Sequence, residues 1–196
     1  MAQSTEMSSP RPDAAALLRA RRQTLRDVIA PSLRVLFCGI NPGLYSTAVG
    51  HHFGRPGNRF WKALHASGFT PRLFCPGEDA ALLDFGIGIT NLSPRTTASA
   101  DELTAAELAR GGRALVAKAR RYRPRVVAIL GIGAYRAGFG RPDAVIGRQE
   151  ARTAQALTWV LPNPSGLNAH YGLEALTRHF RGLHAAVAEE SARRRR

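Results

Sequence analysis

Four short apolar runs, at residues 34–38, 87–91, 126–130 and 156–161, constrain this chain more than any other feature. The third, Val126 to Leu130, contains no polar side chain at all. A strand apolar along its whole length is covered on both faces, which is the pattern of a parallel sheet between two layers of helices. Segments with helical periodicity separate the runs. One spans 13–29, capped by Asp13, with Leu17, Leu18, Leu25, Val28 and Ile29 on its apolar face and Pro31 as its stop. Others span 58–67, closed by Gly68, then 77–84, 103–122, 133–139 and 173–190. Strands alternating with helices predict an α/β three-layer sandwich with a short, mainly parallel central sheet. Residues 140–155, rich in glycine and arginine, read as a surface excursion. The chain divides into a disordered terminus at 1–12, one domain at 13–190 and a basic tail at 191–196.

Composition narrows the function. Of 196 residues, 44% are hydrophobic, enough for a proper core. No apolar run approaches the roughly 20 residues of a membrane span. Met1 to Pro10 lack the apolar centre of a secretory signal. The two cysteines, Cys38 and Cys75, make neither a disulfide framework nor the usual ligand set of an iron–sulfur cluster. A reduced, cytoplasmic protein is expected. The formal net charge of +14 favours a polyanionic partner, most simply nucleic acid. Nearly all the positive charge is arginine, with Lys62 and Lys118 the two lysines. Coding bias explains the choice of arginine over lysine but not the sign of the total.

The first run ends abruptly in Gly39-Ile40-Asn41-Pro42-Gly43, which delivers an amide to a strand exit, where open α/β sheets bind ligands. A plain turn with Asn41 bonding its own backbone is the alternative. Leu161-Pro162-Asn163-Pro164-Ser165-Gly166-Leu167 closes the last run in the same way, and the two loops can converge. Phe53, in the Gly50-His51-His52-Phe53 loop, is either core or a ring for stacking on a planar base. Asn91 ends the second run; its amide donates and accepts at once, which suits a pyrimidine edge as well as a turn. Thr96 or Thr97 can hold a water or a phosphate, or cap a turn. Asn58 reads as a helix cap and Trp61 as core. The histidines show no metal-ligand spacing. Gly131-Ile132-Gly133 is an incomplete dinucleotide fingerprint and reads as a tight turn. The arginines of 110–125, without an acid among them, form a charged face.

Taken together, GINPGL (39–44), GHHFGRPGNRFWK (50–62), GIGITNLSPRTT (86–97) and LPNPSGL (161–167) resemble the mismatch-specific uracil-DNA glycosylases, the branch containing bacterial Mug and vertebrate thymine-DNA glycosylase. The likeness runs from about Leu33 to Leu176. It implies a uracil-DNA glycosylase-like fold and a DNA repair enzyme. Such an enzyme flips uracil or a mismatched pyrimidine out of double-stranded DNA carrying G:U or related mismatches. It then hydrolyses the base–sugar bond and leaves an abasic site. The resemblance implies no metal, no cofactor, a monomer, and a location at the nucleoid in a bacterium. It places Asn41 at the attacking water, Ile40, Phe53 and Asn91 at the base, and Thr97 at water or phosphate. It places Asn163, Pro164, Ser165 and Gly166 in the loop that grips the strand, with Leu167 as the wedge. The branch's arginine two residues beyond the wedge is Ala169 here, with His170 beside it, and an acid expected before Arg95 is Pro94. Asp84 or Asp101 remains as a carboxylate able to assist the water. A non-catalytic nucleic-acid-binding module is the alternative of another class.

Overall fold

A computed structural model describes residues 11–193. Five strands form one sheet in the order β2-β1-β3-β5-β4: β1 Val35–Gly39, β2 Ile87–Asn91, β3 Val126–Leu130, β4 Gly147–Arg148 and β5 Leu157–Leu161. The first four in that order are parallel, with Phe37 beside Ile89 on one side and Ala128 on the other. The two-residue β4 closes the edge antiparallel to β5. The helices are α1 Ala14–Ala20, α2 Leu44–Val49, α3 Phe60–Ala66, α4 Ala105–Tyr122, α5 Ile132–Phe139 and α6 Leu173–Arg193. The three-layer α/β reading of the sequence is the architecture observed.

Alternation along the buried strands feeds two cores. Val35, Phe37, Ile87, Ile89, Val126, Ala128 and Leu161 face a cluster with Phe60, Leu64, Phe180 and Leu183 from α3 and α6. Leu36, Cys38, Val127, Ile129 and Val160 face the other way, against Leu115, Ala119 and Tyr135 of α4 and α5. Phe37 anchors the first core, edge-on to Phe60 and stacked on Phe180. α4 approaches α5 closely at Gly112, where an added Cβ would lie 2.1 Å from the Gly138 carbonyl oxygen.

Several elements differ from expectation. The helix predicted over 13–29 is capped by Asp13, whose carboxylate accepts from Ala16 N–H, but it ends at Ala20, well before Pro31. Residues 23–28 instead form an irregular segment that meets the sheet edge at Val28. Val28 and Ile89 exchange both backbone hydrogen bonds, and Asp27 accepts from the Thr90 hydroxyl and pairs with Lys118. These sheet-edge partners outweigh helical periodicity, a tertiary preference that local pattern does not carry. α2 was not foreseen; its six residues are too few for a periodic signal, and Gly43 precedes it as cap. α4 is capped by Thr104, one of the two residues, with Asp101, that stand near its start in the sequence, through a capping box with Glu107. The excursion at 140–155 contributes β4 and buries Thr153 against Thr158. The segment 77–84 is a 3-10 stretch within Pro76–Phe85. The disorder expected at 1–12 and the tail at 191–196 fall largely outside the described residues, although α6 extends through Arg193.

Candidate active site

The carboxyl ends of β1, β2 and β5 open into a cleft of about 290 Å³. Ile40, Asn41, Phe53, Asn91, Thr97, Asn163, Ser165 and Leu167 all line it. Residues from four separate segments therefore meet at one place. β1 and β2 set the first pair, because their register puts Gly39 beside Asn91.

Asn41 has an orientation fixed by chemistry. Its Nδ2 donates to Thr97 Oγ1 at 2.6 Å, to the Arg95 carbonyl at 3.0 Å and to the Pro42 carbonyl at 3.2 Å. Carbonyl oxygens only accept, so the NH₂ end must face them and the Oδ1 end must face away. The Thr97 hydroxyl donates in turn to the Ser99 carbonyl at 2.6 Å. Thr97 is thus a strut for the amide; its hydroxyl is engaged on both sides. Backbone contacts lock the same pair of loops, with Leu92 N–H on Gly39 O, Ser93 N–H on Ile40 O and Thr97 N–H on Pro42 O.

Phe53 has φ of 53°, in the left-handed region that a bulky side chain rarely occupies. One face of its ring stacks on Phe60 at 4.1 Å between centroids, and the half-buried ring borders the cleft. Strain of this kind persists only where surroundings impose it. Here Asp79 accepts from His52 N–H at 3.1 Å, and His52 Nε2 donates to the Arg26 carbonyl at 2.9 Å. Burial pushes the His52 pKa down, so the ring is the neutral tautomer carrying its proton on Nε2. His51 turns elsewhere, 3.4 Å from Asp79. Among the described residues no three His, Cys, Asp or Glu side chains are grouped as a metal site.

The Asn91 side chain makes no hydrogen bond among the described residues and borders the cleft, with its Oδ1 packed against Gly39. Asn58, expected as the helix cap, stands one residue before the N-cap Arg59 and accepts from Phe60 N–H at 2.9 Å. Trp61 is buried in the core. Of the two carboxylates weighed from sequence, Asp101 lines the cleft and Asp84 does not.

The loop after β5 is built around Arg59, which sequence reasoning missed. Its guanidinium donates to the carbonyls of Ser165, Asn168 and Tyr171, and its N–H donates to Pro164 O. Asn163 Oδ1 accepts from Ser165 N–H, and Ser165 Oγ accepts from Leu167 N–H. Gly166 sits where a Cβ would be 2.7 Å from the Gly57 carbonyl oxygen. The result holds Leu167 out from the surface at 66% exposure, a large apolar side chain at the rim. No local signal ties residue 59 to residues 165–171; the side chain reads as an ordinary helix-start arginine until the fold is known.

A cleft of pyrimidine scale, walled by an aromatic ring and amides and flanked by an exposed leucine, suits a flipped base. A family model of the uracil DNA glycosylase superfamily matches residues 26–184. The chain belongs to the uracil DNA glycosylase superfamily. Its substrate polymer is therefore DNA, and its reaction class is hydrolysis of the bond between base and sugar in base excision repair. The matched span runs from the sheet-edge segment to α6 and includes every residue of the cleft beyond Leu25. No helix among the described residues is long and apolar enough to cross a membrane.

Proposed function

We propose that this glycosylase is mismatch-directed and monofunctional, of the branch containing bacterial Mug and vertebrate thymine-DNA glycosylase. The clamp on Asn41 carries the reading. With its NH₂ end bound to two carbonyls and Thr97, Oδ1 is left as a fixed acceptor beside the cleft. It orients a water toward the anomeric carbon of a flipped nucleotide. An amide takes no proton at neutral pH, so rate comes from positioning rather than from general-base strength. As the bond from C1′ to the base nitrogen breaks, its electron pair leaves with the base. The water oxygen then bonds to C1′, and its proton passes to solvent or to Asp101, which faces the same space. Phe53 stacks on the flipped ring, Ile40 packs beside it, and the Asn91 amide pairs with its edge. Leu167 fills the gap left in the duplex, and Asn163 and Ser165 hold the strand.

Neither lysine lines the cleft, and Lys118 is committed to Asp27, which supports hydrolysis without a lyase step. The enzyme acts as a monomer without metal or cofactor, so full activity in excess chelator is expected. The deciding assay offers labelled duplexes with G:U, A:U and G:T pairs, and single-stranded uracil, followed by alkaline cleavage. Release is expected to be greatest from G:U. Equal release from all four removes the mismatch reading, and no release from any of them leaves a DNA-binding module without chemistry.

A further inference from the structure

Part of the positive charge of this protein lies away from the cleft. Arg34 precedes β1 and Arg125 precedes β3, so both stand at the amino ends of strands whose carboxyl ends form the cleft. Five-residue strands separate the two ends by about 16 Å of sheet. α4 returns the chain to that same far end, bringing Arg120, Arg121 and Arg123 with it. The loops are tied together there: Ser32 N–H bonds Tyr122 O at 2.7 Å, and Arg125 N–H bonds Leu33 O at 2.9 Å. Arg34 and Arg125 line a recess with Ala188, Ser191 and Ala192 of α6. Five arginines thus share one end of the molecule.

Few of them have structural work. Among the described residues the guanidinium groups of Arg34, Arg120 and Arg123 make no hydrogen bond or ion pair. Arg121 lies over the Tyr122 ring, and Arg125 donates to the Ser191 carbonyl. Among the described residues the carboxylates toward this end include Asp84, Glu150, Glu189 and Glu190, and Glu190 is already paired with Arg152. A surplus of positive charge remains. Arg123 holds φ of 50°, a position that glycine usually takes at a helix end, yet here it carries a side chain with a charge. Arginine forks match phosphate oxygens, and exposed arginines without partners add little to stability.

We infer that the end of the molecule opposite the cleft is a second site for phosphate backbone, seating a further segment of duplex DNA while the cleft holds the first. A straight duplex lying across the cleft mouth does not reach beneath the sheet, so the second segment is separate. Two DNA-binding ends let the enzyme pass from one segment to another without leaving DNA. The inference rests on the chain being a DNA-binding glycosylase but not on any catalytic role assigned above.

The test uses the full chain and the variant R34Q/R120Q/R121Q/R123Q. An undamaged duplex is tethered, protein is bound, and capture of a second labelled duplex is measured. The wild type captures it, and the glutamine variant binds the tethered duplex but captures none. Losing four phosphate contacts also makes the slope of log affinity against log salt less negative by about 3.6. Uracil release from a short duplex stays within about twofold, because no altered residue touches the cleft. The variant R34K/R120K/R121K/R123K keeps the charge and restores capture. Capture that survives in the glutamine variant, or a slope that does not move, overturns the inference. So does failure of the lysine variant to restore capture. An Asn41→Ala protein that captures normally but releases no uracil leaves the second site intact and bears on catalysis alone.

Discussion

At the scale of single residues, the site rests on one amide whose direction is decided by its neighbours. Asn41→Ala is expected to lower the single-turnover rate of uracil release by roughly 100- to 1,000-fold, the cost of removing one fixed polar group from a reaction centre. Its affinity for DNA should change little, which a binding titration checks. Thr97→Val removes the strut but not the amide. A smaller loss of rate, again without a loss of affinity, is expected. Retention of wild-type rate in both variants sinks the positioning account. Arg59→Lys keeps the charge yet cannot serve three carbonyls in a planar fork. The Leu167 loop then has to be ordered at each binding event. Release from paired substrates should fall about tenfold while release from single strands holds. Leu167→Ala should show the same asymmetry by removing the wedge itself; equal loss on paired and single strands contradicts it. Asn41 could be picked out in sequence because it follows its strand immediately. Arg59 could not, because the carbonyls it binds are more than 100 residues away.

At the scale of elements, the cleft depends on how closely α4 lies against the sheet and α5. Gly112→Ala pushes a methyl group into the Gly138 carbonyl, where backbone has to move. A destabilisation of about 1–3 kcal/mol is expected, read from chemical denaturation. Because α4 begins just beyond the Ala98–Asp101 lip of the cleft, the variant should also slow uracil release at temperatures where it is fully folded. Thr104→Ala, which removes the cap of the same helix, should cost about 1 kcal/mol without reaching the cleft floor. The four parallel strands and most helices were legible because burial on both faces and helical periodicity are local patterns. The end of α1 was not, since the 23–28 segment leaves helical geometry to pair with Ile89 and to give Asp27 to Thr90 and Lys118.

For the whole molecule, stability in acid depends on carboxylates pinned near the cleft lip and along the 3-10 stretch. A hydrogen bond from Arg95, then the Thr104 N–H, lowers the Glu107 pKa from 4.5 to about 2. Arg72, then the Cys75 N–H, does the same for Glu78. A carboxylate with a depressed folded pKa contributes fully above its unfolded value, and the contribution is lost as pH falls through the folded value. The window is therefore about pH 4.5 down to about 2. Glu107→Gln should melt below the wild type at neutral pH, with the gap closing across that window; a gap constant from pH 6 to 2 contradicts the assignment. Both groups are partly exposed to solvent, so the effect is modest and salt-sensitive.

The sequence by itself determined the layers, four of the five strands, most of the helices, and which loops leave the sheet at its carboxyl edge. Those follow from apolar runs, turn residues and a family pattern that are all local in the chain. Only the tertiary structure decided which way the Asn41 amide faces, that Thr97 holds it, that Arg59 builds the Leu167 loop, and that Asp101 rather than Asp84 reaches the cleft. Each of these is a hydrogen bond or an approach between segments far apart in sequence. Such partners have no periodicity to betray them, and they exist only once the core has brought their backbones together.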